Sequence, residues 1–263
     1  MLYELTPDEI HSYQKNGFVV IDNFLTPAEL EVWRKVVGEA VAKRGEARMP
    51  GEEGKAFVGS NTSVFKQRIQ LWMDNDEVKE LMLDERIGQM AADLEGVDGI
   101  RVWHDQTLIK MPWGNPTSWH QDNTKWSFSS EHAISIWIAL DDATPHNGCL
   151  YFVPGSHKHR YDDVATDRPM SEIFEQNPVL QEVDPVAAPM KAGSCSFHNG
   201  LTVHGAGANM TRSQRRAMTC VFMPDGSTYN GRKNVLPQWY ADSLEVGDLI
   251  DNNDLVPLIF NRS

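Results

Sequence analysis

The hydrophobic period changes once along these 263 residues, near position 101, and that change limits the fold more than any other feature of the chain. Ahead of it, apolar residues recur at helical spacing behind two matching start signals. Thr6-Pro7-Asp8-Glu9 and Thr26-Pro27-Ala28-Glu29 each offer a capping hydroxyl, a proline suited to the first turn and an acid near the positive end of the helix dipole. The first helix should stop at Gly17, where the β-branched run Phe18–Ile21 reads as a strand. The second should run to about Lys43 with Leu30, Trp33, Val37 and Val41 on one face. Helical patterns resume over 76–94. Beyond the change, Arg101–Lys110, Ala133–Leu140, Cys149–Val153, Gly193–His198 and Ala217–Met223 read as short strands separated by turn signals such as His146-Asn147-Gly148 and Pro154-Gly155-Ser156. A helical front followed by many short strands predicts a mainly β fold, a jelly roll with supporting helices. No repeat and no linker splits the chain, so we expect one domain over 1–263. Its parts are a helical support with a loop (1–100), a β core (101–223) carrying an insertion at 160–190, and a C-terminal tail (224–263). The Gly- and charge-rich stretch 44–62 reads as a loop, either a lid or an exposed linker.

Charge narrows the partners. The chain carries 24 basic and 37 acidic side chains, a formal charge of −13. Nucleic acid binding rests on neutralising phosphates with Lys and Arg, and anionic membranes attract the same residues, so neither is expected as a partner. The apolar stretches are too short to span a bilayer, and the N-terminus lacks the basic and apolar regions of a signal peptide. Three cysteines, Cys149, Cys195 and Cys220, form no CxxC motif, which argues against a disulfide framework and for a reducing compartment. A cytoplasmic protein, monomeric or homodimeric and acting on a small molecule, is expected.

Familiar catalytic motifs are missing: there is no GxxxxGK[ST], no HExxH and no GxSxG. The triplet His120-Gln121-Asp122 is what remains. On a strand, residues i and i+2 project from one face, so an imidazole and a carboxylate would point into the same pocket. With His204 as a third ligand, two His and one carboxylate make the facial arrangement of non-haem Fe(II) oxygenases, with positions left open for cosubstrate and dioxygen. A bare HxD is a weak signal, since a chain with this His and Asp content produces one by chance roughly 0.7 times. Arg215, 11 residues after His204 at the start of an apolar strand, strengthens it. A guanidinium that grips a carboxylate at two points is a natural anchor for a dicarboxylic cosubstrate. Arg212 and Arg216 read as surface residues, His157 as a structural hydrogen-bonder in its turn, and His198 as a weaker competitor of His204.

Taken together, these segments resemble the phytanoyl-CoA dioxygenase family of Fe(II)/2-oxoglutarate-dependent oxygenases. TPDEIHSYQKNGFVVIDNFLTPAEL is similar to the family's helix–Gly–strand–helix opening, and DQTLIKMP followed by WHQD to its proximal metal strand. ISIWIALDDATPHNGCLYFVPGSHK matches its central run, and FHNGLTVHGAGANMTRSQRRA its distal His and Arg segment. The resemblance covers about 1–40 and 100–223. It implies a double-stranded β-helix, Fe(II) on His120, Asp122 and His204, and 2-oxoglutarate held through its distal carboxylate by Arg215. It also implies cosubstrate or pocket roles for Gln106, Trp137 and Arg68. Read alone, Gln106 is equally an ordinary strand residue, Trp137 a core residue and Arg68 a solvated one. Where some members place a hydroxyl two residues after the distal His, this chain has Ala206. The implied reaction consumes 2-oxoglutarate and O2, releases succinate and CO2, and oxidises a small organic substrate. Related halogenases replace the metal carboxylate with a small residue, so Asp122 implies hydroxylation. Trp113, Trp126 and Phe128 are candidate walls for the substrate, and the acidic chain is no obvious host for coenzyme A. Two rival readings remain: a cupin-like Zn or Mn enzyme of other chemistry, against which Arg215 counts, and a non-catalytic binding protein on the same fold.

Overall fold

The computed structural model describes residues 4–52, 64–161 and 169–262; most of the 44–62 stretch and part of the 160–190 insertion lie outside them. Helix α1 spans Pro7–Asn16 and α2 spans Pro27–Arg44, and each begins with a complete capping box, Thr6 with Glu9 and Thr26 with Glu29. Gly17 closes α1 at φ 83°, and a Cβ there would strike His157 and Thr202 at 2.5 Å. Strand β1, Phe18–Ile21, follows at once. A strand not expected from the sequence comes next, β2 (Lys66–Ile69). It is only four residues, three of them with charged or amide side chains, too short and polar to show a period. Helices α3 (Asp76–Met82) and α4 (Glu85–Glu95) complete the front.

The β core comprises β3 (Gly99–Lys110), β4 (Thr117–His120), β5 (Ile134–Ala139), β6 (Leu150–Phe152), β7 (Val186–Ala188), β8 (Cys195–Asn199), β9 (His204–Ala206), β10 (Arg215–Pro224) and β11 (Leu258–Asn261). These form two antiparallel sheets. The larger runs β1-β8-β5-β10-β3-β11, with β2 also on β3, and the smaller runs β4-β9-β6-β7. The architecture is a jelly roll. The C-terminal tail adds to this core. Its β11 pairs with β3, and Tyr240, Ile250 and Val256 bury against Trp103 and Phe128.

Alternation sorts the large sheet. Ile134, Ile136, Ile138, Met218, Cys220 and Phe222 pack outward against Trp33, Leu71, Ile87 and their neighbours in the helical layer. The intervening Trp137, Ala139 and Ala217 face the small sheet, meeting Leu150, Phe152 and Ala206. Burial of this many large apolar side chains, each contributing about 1.5–3 kcal/mol, is what holds the layers together. Strand β3 obeys two phases. Ile100 and Val102 join the outward set, but the register with β10 slips between Val221 and Phe222, which pair with His104 and Val102 and leave Trp103 unpaired. One extra residue in a strand inverts the faces of everything beyond it. From His104 onward the even-numbered residues therefore turn inward: His104, Gln106 and Leu108 line the cavity between the sheets.

Candidate active site

His120 and His204 are 84 positions apart in sequence, yet they sit opposite one another in the β4–β9 register, with ring centroids 4.3 Å apart. Gly205 permits the approach, since a Cβ there would lie 2.9 Å from the Thr117 carbonyl. Strand β4 ends at His120, so Asp122 does not sit on it as the period-2 reading required. It stands in the bend that follows, where its carbonyl accepts from the Lys125 N–H at 3.0 Å, and its carboxylate still turns back to the imidazoles. Asp122 Oδ1 lies 3.3 Å from His120 Nε2, and Oδ2 lies 3.8 Å from His204 Nε2. One ligand atom from each of the three falls within 4.8 Å of the others.

Hydrogen bonding sets the tautomers. His120 Nδ1 donates to the Ser118 carbonyl at 2.8 Å and His204 Nδ1 to the Thr202 carbonyl at 2.9 Å. Each Nε2 of a neutral ring is thus left as a lone pair aimed at Asp122. Burial, and for His204 also the other imidazole, holds both rings below the ordinary imidazole range and so neutral. Burial alone would raise the Asp122 carboxyl, but the surrounding imidazoles more than offset that and keep it well below its usual range. Two lone pairs and a carboxylate converging on one point repel one another, and a divalent cation at that point turns the repulsion into ligation.

The other end of the cavity has the opposite sign. Arg215 is 2% exposed, its guanidinium stacks over Trp137 at 5.0 Å, and its Nε has no hydrogen-bond partner among the described residues. Burial pulls it down to about 10. Trp137 Nε1 and the Ser135 and Thr219 hydroxyls, all lining the same cavity, are likewise without partners. Buried polar atoms cost roughly 1–3 kcal/mol each when unsatisfied, so this cluster suits a ligand rich in oxygen acceptors. Sequence reading missed Lys110, which faces Arg215 across the β3–β10 register and is completely buried. Its Nζ donates to the Asn115 carbonyl at 2.7 Å and approaches Thr117 Oγ1 at 3.4 Å. Burial, reinforced by the Arg215 charge, lowers it to about 7. The signal for Lys110 was its even-numbered place on β3, which becomes readable only once the bulge is known. Thr117 stands opposite Ala206 in the β4–β9 register and lines the cavity, so a hydroxyl is present beside the alanine that replaces the family's own.

The remaining residues divide. Gln106 and Trp137 line the cavity, and Gln106 accepts a hydrogen bond from Gln67. Arg68 does not reach it. On β2 it alternates with Gln67 and Ile69, which do, and its guanidinium instead donates to the Gly45 carbonyl at 2.6 Å and lies 3.7 Å from Glu46. The basic side chain that does line the cavity near this strand is Arg48. Trp126 is a wall of the cavity and Phe128 stacks behind it at 5.4 Å, whereas Trp113 is 69% exposed and lines nothing there. His198 borders the cavity with its Nε2 3.8 Å from Asp122 Oδ2, but it falls outside the three-residue cluster. His157 binds the Gln14 carbonyl at 3.2 Å, as a structural residue would. Arg216 is paired with Asp141 through two bonds of 2.9 and 2.7 Å.

Known proteins are similar to this chain over most of its length. The family model for phytanoyl-CoA dioxygenase matches residues 13–217. Methylphosphonate hydroxylase of Gimesia maris is 26% identical over 248 residues, covering 90% of this chain and 86% of that protein. Among solved structures, the non-haem α-ketoglutarate-dependent carbocyclase SnoK from nogalamycin biosynthesis superposes with a TM-score of 0.79 at 29% identity, covering 97% and 96% of the two chains. The epimerase SnoN, in complex with Fe3+, α-ketoglutarate and nogalamycin RO, gives 0.78 at 27% identity, covering 96% and 97%. No helix among the described residues is long and apolar enough to cross a membrane.

Proposed function

The chain belongs to the phytanoyl-CoA dioxygenase family and is an Fe(II)/2-oxoglutarate-dependent dioxygenase, and on that premise we propose that His120, Asp122 and His204 hold its iron. The observation that carries the assignment is the pair of Nδ1–H···O=C bonds, which leave both Nε2 lone pairs directed at one carboxylate. Bound there, iron supplies dioxygen activation coupled to oxidative decarboxylation of 2-oxoglutarate. The protein's part is binding, orientation and exclusion of water. Arg215, with the Ser135 and Thr219 hydroxyls beside it, receives the distal carboxylate of 2-oxoglutarate, and the indole face of Trp137 fixes the guanidinium plane. Gln106, tethered to Gln67, borders the cosubstrate.

The substrate in this reading is a small organic molecule oxidised at a C–H bond. Hydroxylation is the outcome we favour because Asp122 occupies the position that halogenases free for halide. Relatives of this chain include a hydroxylase, a carbocyclase and an epimerase, so the fate of the oxidised carbon is decided by how the substrate sits in the cavity. We place the enzyme in the cytoplasm as one catalytic unit, in keeping with three buried free thiols. Measuring succinate release with Fe(II), 2-oxoglutarate and a metabolite library tests the function. Asp122→Ala should reduce release to background; full retained turnover would remove Asp122 from the ligand set.

A further inference from the structure

Asp122 is the one member of the triad that no strand holds. His120 and His204 are fixed by the β4–β9 register and by their Nδ1–H bonds, whereas Asp122 stands in the bend beyond β4. A carboxylate that lends one oxygen to a metal keeps a second, and a buried oxygen of that kind needs a donor. Neither ligand imidazole supplies one. Each neutral ring carries its proton on Nδ1, where it is engaged by the Ser118 or Thr202 carbonyl.

His198 is a third imidazole at this place. It comes from β8 of the large sheet, opposite Ser135 of β5, and is 3% exposed. Its ring centroid lies 4.6 Å from that of His204 and 5.4 Å from that of Phe152. Its hydrogen bonding is the reverse of the ligands'. His198 Nδ1 is buried with no partner among the described residues, while Nε2 lies 3.8 Å from Asp122 Oδ2. A proton on Nδ1 would bury a donor without an acceptor and turn a further lone pair on the carboxylate. A proton on Nε2 points instead at a carboxylate oxygen, and a charge-assisted bond offsets the cost of the bare Nδ1.

We propose that His198 is a positioning residue for the metal centre, donating from Nε2 to Asp122 Oδ2 and so leaving Oδ1 for the side of the ligand imidazoles. The proposal rests on the assignment of His120, Asp122 and His204 to the metal. Oδ2 stands 3.8 Å from both His198 Nε2 and His204 Nε2. The second presents a lone pair and the first a proton, so rotation of the carboxylate about its soft terminal torsion closes the gap to His198 alone. Strand β8 is paired on both sides, by β1 and β5. A bend that hangs from the small sheet thereby takes its reference from a strand inside the large one.

Two variants of the full chain test this. His198→Leu fills the space without a donor, and His198→Gln presents an amide N–H near the place of Nε2. Metal-free thermal unfolding checks that each is folded. Mn(II) affinity is then titrated anaerobically by electron paramagnetic resonance, and the visible charge-transfer absorption of the Fe(II)–2-oxoglutarate complex is recorded. His198→Leu should raise the Mn(II) Kd about tenfold to a hundredfold and shift that absorption. His198→Gln should restore the Kd to within about threefold of the wild type. A leucine variant that binds Mn(II) as the wild type does, or a glutamine variant as weak as the leucine one, overturns the proposal. Should His198→Leu not fold, His198→Asn, whose amide is too short to reach Asp122, takes its place, and equal Kd values for the two amides overturn the proposal. Wild-type protein that binds no Mn(II), or His120→Ala that binds it undiminished, is a separate result and overturns the assignment of the triad itself.

Discussion

The two ends of the cavity are unfinished in opposite senses. At the triad, two imidazole lone pairs and a carboxylate crowd together. At the other end, Arg215 and Lys110 lie side by side in the core, and among the described residues their hydrogen bonds go to carbonyls and a hydroxyl. Each end would destabilise the fold in isolation, because a buried charge is costly unless it is paired. A metal ion corrects the first and a dicarboxylate the second. On the proposed assignment the contrast teaches that the cavity suits a ligand pair, a cation at the triad and a carboxylate at the guanidinium.

Four substitutions bear on this contrast. The largest effect should come from His204→Ala, which reduces the facial site to two ligands. Succinate release should fall by more than about a hundredfold, and Mn(II) should no longer stabilise the protein. Arg215→Ala comes next. Loss of one partner of a buried charge pair costs about 2–5 kcal/mol, so the 2-oxoglutarate KM should rise roughly thirtyfold or more while metal binding persists. Lys110→Met should separate stability from affinity. Deleting the buried ammonium should raise the melting temperature of the ligand-free protein by about 2–4 °C. The same substitution should raise the 2-oxoglutarate Kd about tenfold. The pH dependence follows from the lowered Lys110 pKa. Below about 7 the group is charged in the fold, which costs stability but favours the dianion. As pH rises from about 7, the free protein gains stability from this group and 2-oxoglutarate affinity declines, by up to about tenfold per pH unit. Titrations at pH 6.5–8 should show that slope in the wild type and none in Lys110→Met. The smallest effect belongs to Arg216→Ala, next door to Arg215 but outside the cavity. Stability should fall by about 1 kcal/mol or less with the 2-oxoglutarate KM unchanged. Burial pushes Asp141 up, yet its bonds to Arg216 hold it below the usual carboxylate range. That pair therefore contributes fully above ordinary carboxylate pKa values and is lost as acid titrates it. A denaturation series from pH 3 to 6 checks it.

Much of this was legible beforehand because it is local. The capping boxes, the Gly17 stop and the β-branched runs each declare themselves within a few residues, and all appear in the structure close to the expected positions. Among the residues matched to the family's motifs, His120, Asp122 and His204 cluster, and Gln106, Trp137 and Arg215 line one cavity. Arg68 and Trp113 went astray for a common reason. Which way a side chain turns on a four-residue strand or in a tight turn depends on register, and register is settled by neighbours distant in sequence. Lys110 and His104 were hidden by the bulge at Trp103, because an unbroken period would have pointed both at the helices. Arg48 was hidden because it follows a helix end inside a loop that has no pattern at all.

Strand β10 has paired neighbours along both of its sides, β5 and β3, and β3 is itself covered by β2 and β11. Amide exchange in such a strand waits for opening of much of the sheet, whereas a bend beyond a four-residue strand opens by itself. Amides around Arg215 and Lys110 should therefore exchange slowly, and those in the bend at Asp122 faster. Deuterium uptake followed on metal addition should slow mainly around 120–125 and scarcely alter 215–222. The protein would then behave as a rigid cradle for the cosubstrate with an adjustable grip on the metal, so that order is conferred on the reactive end only as the cofactors arrive.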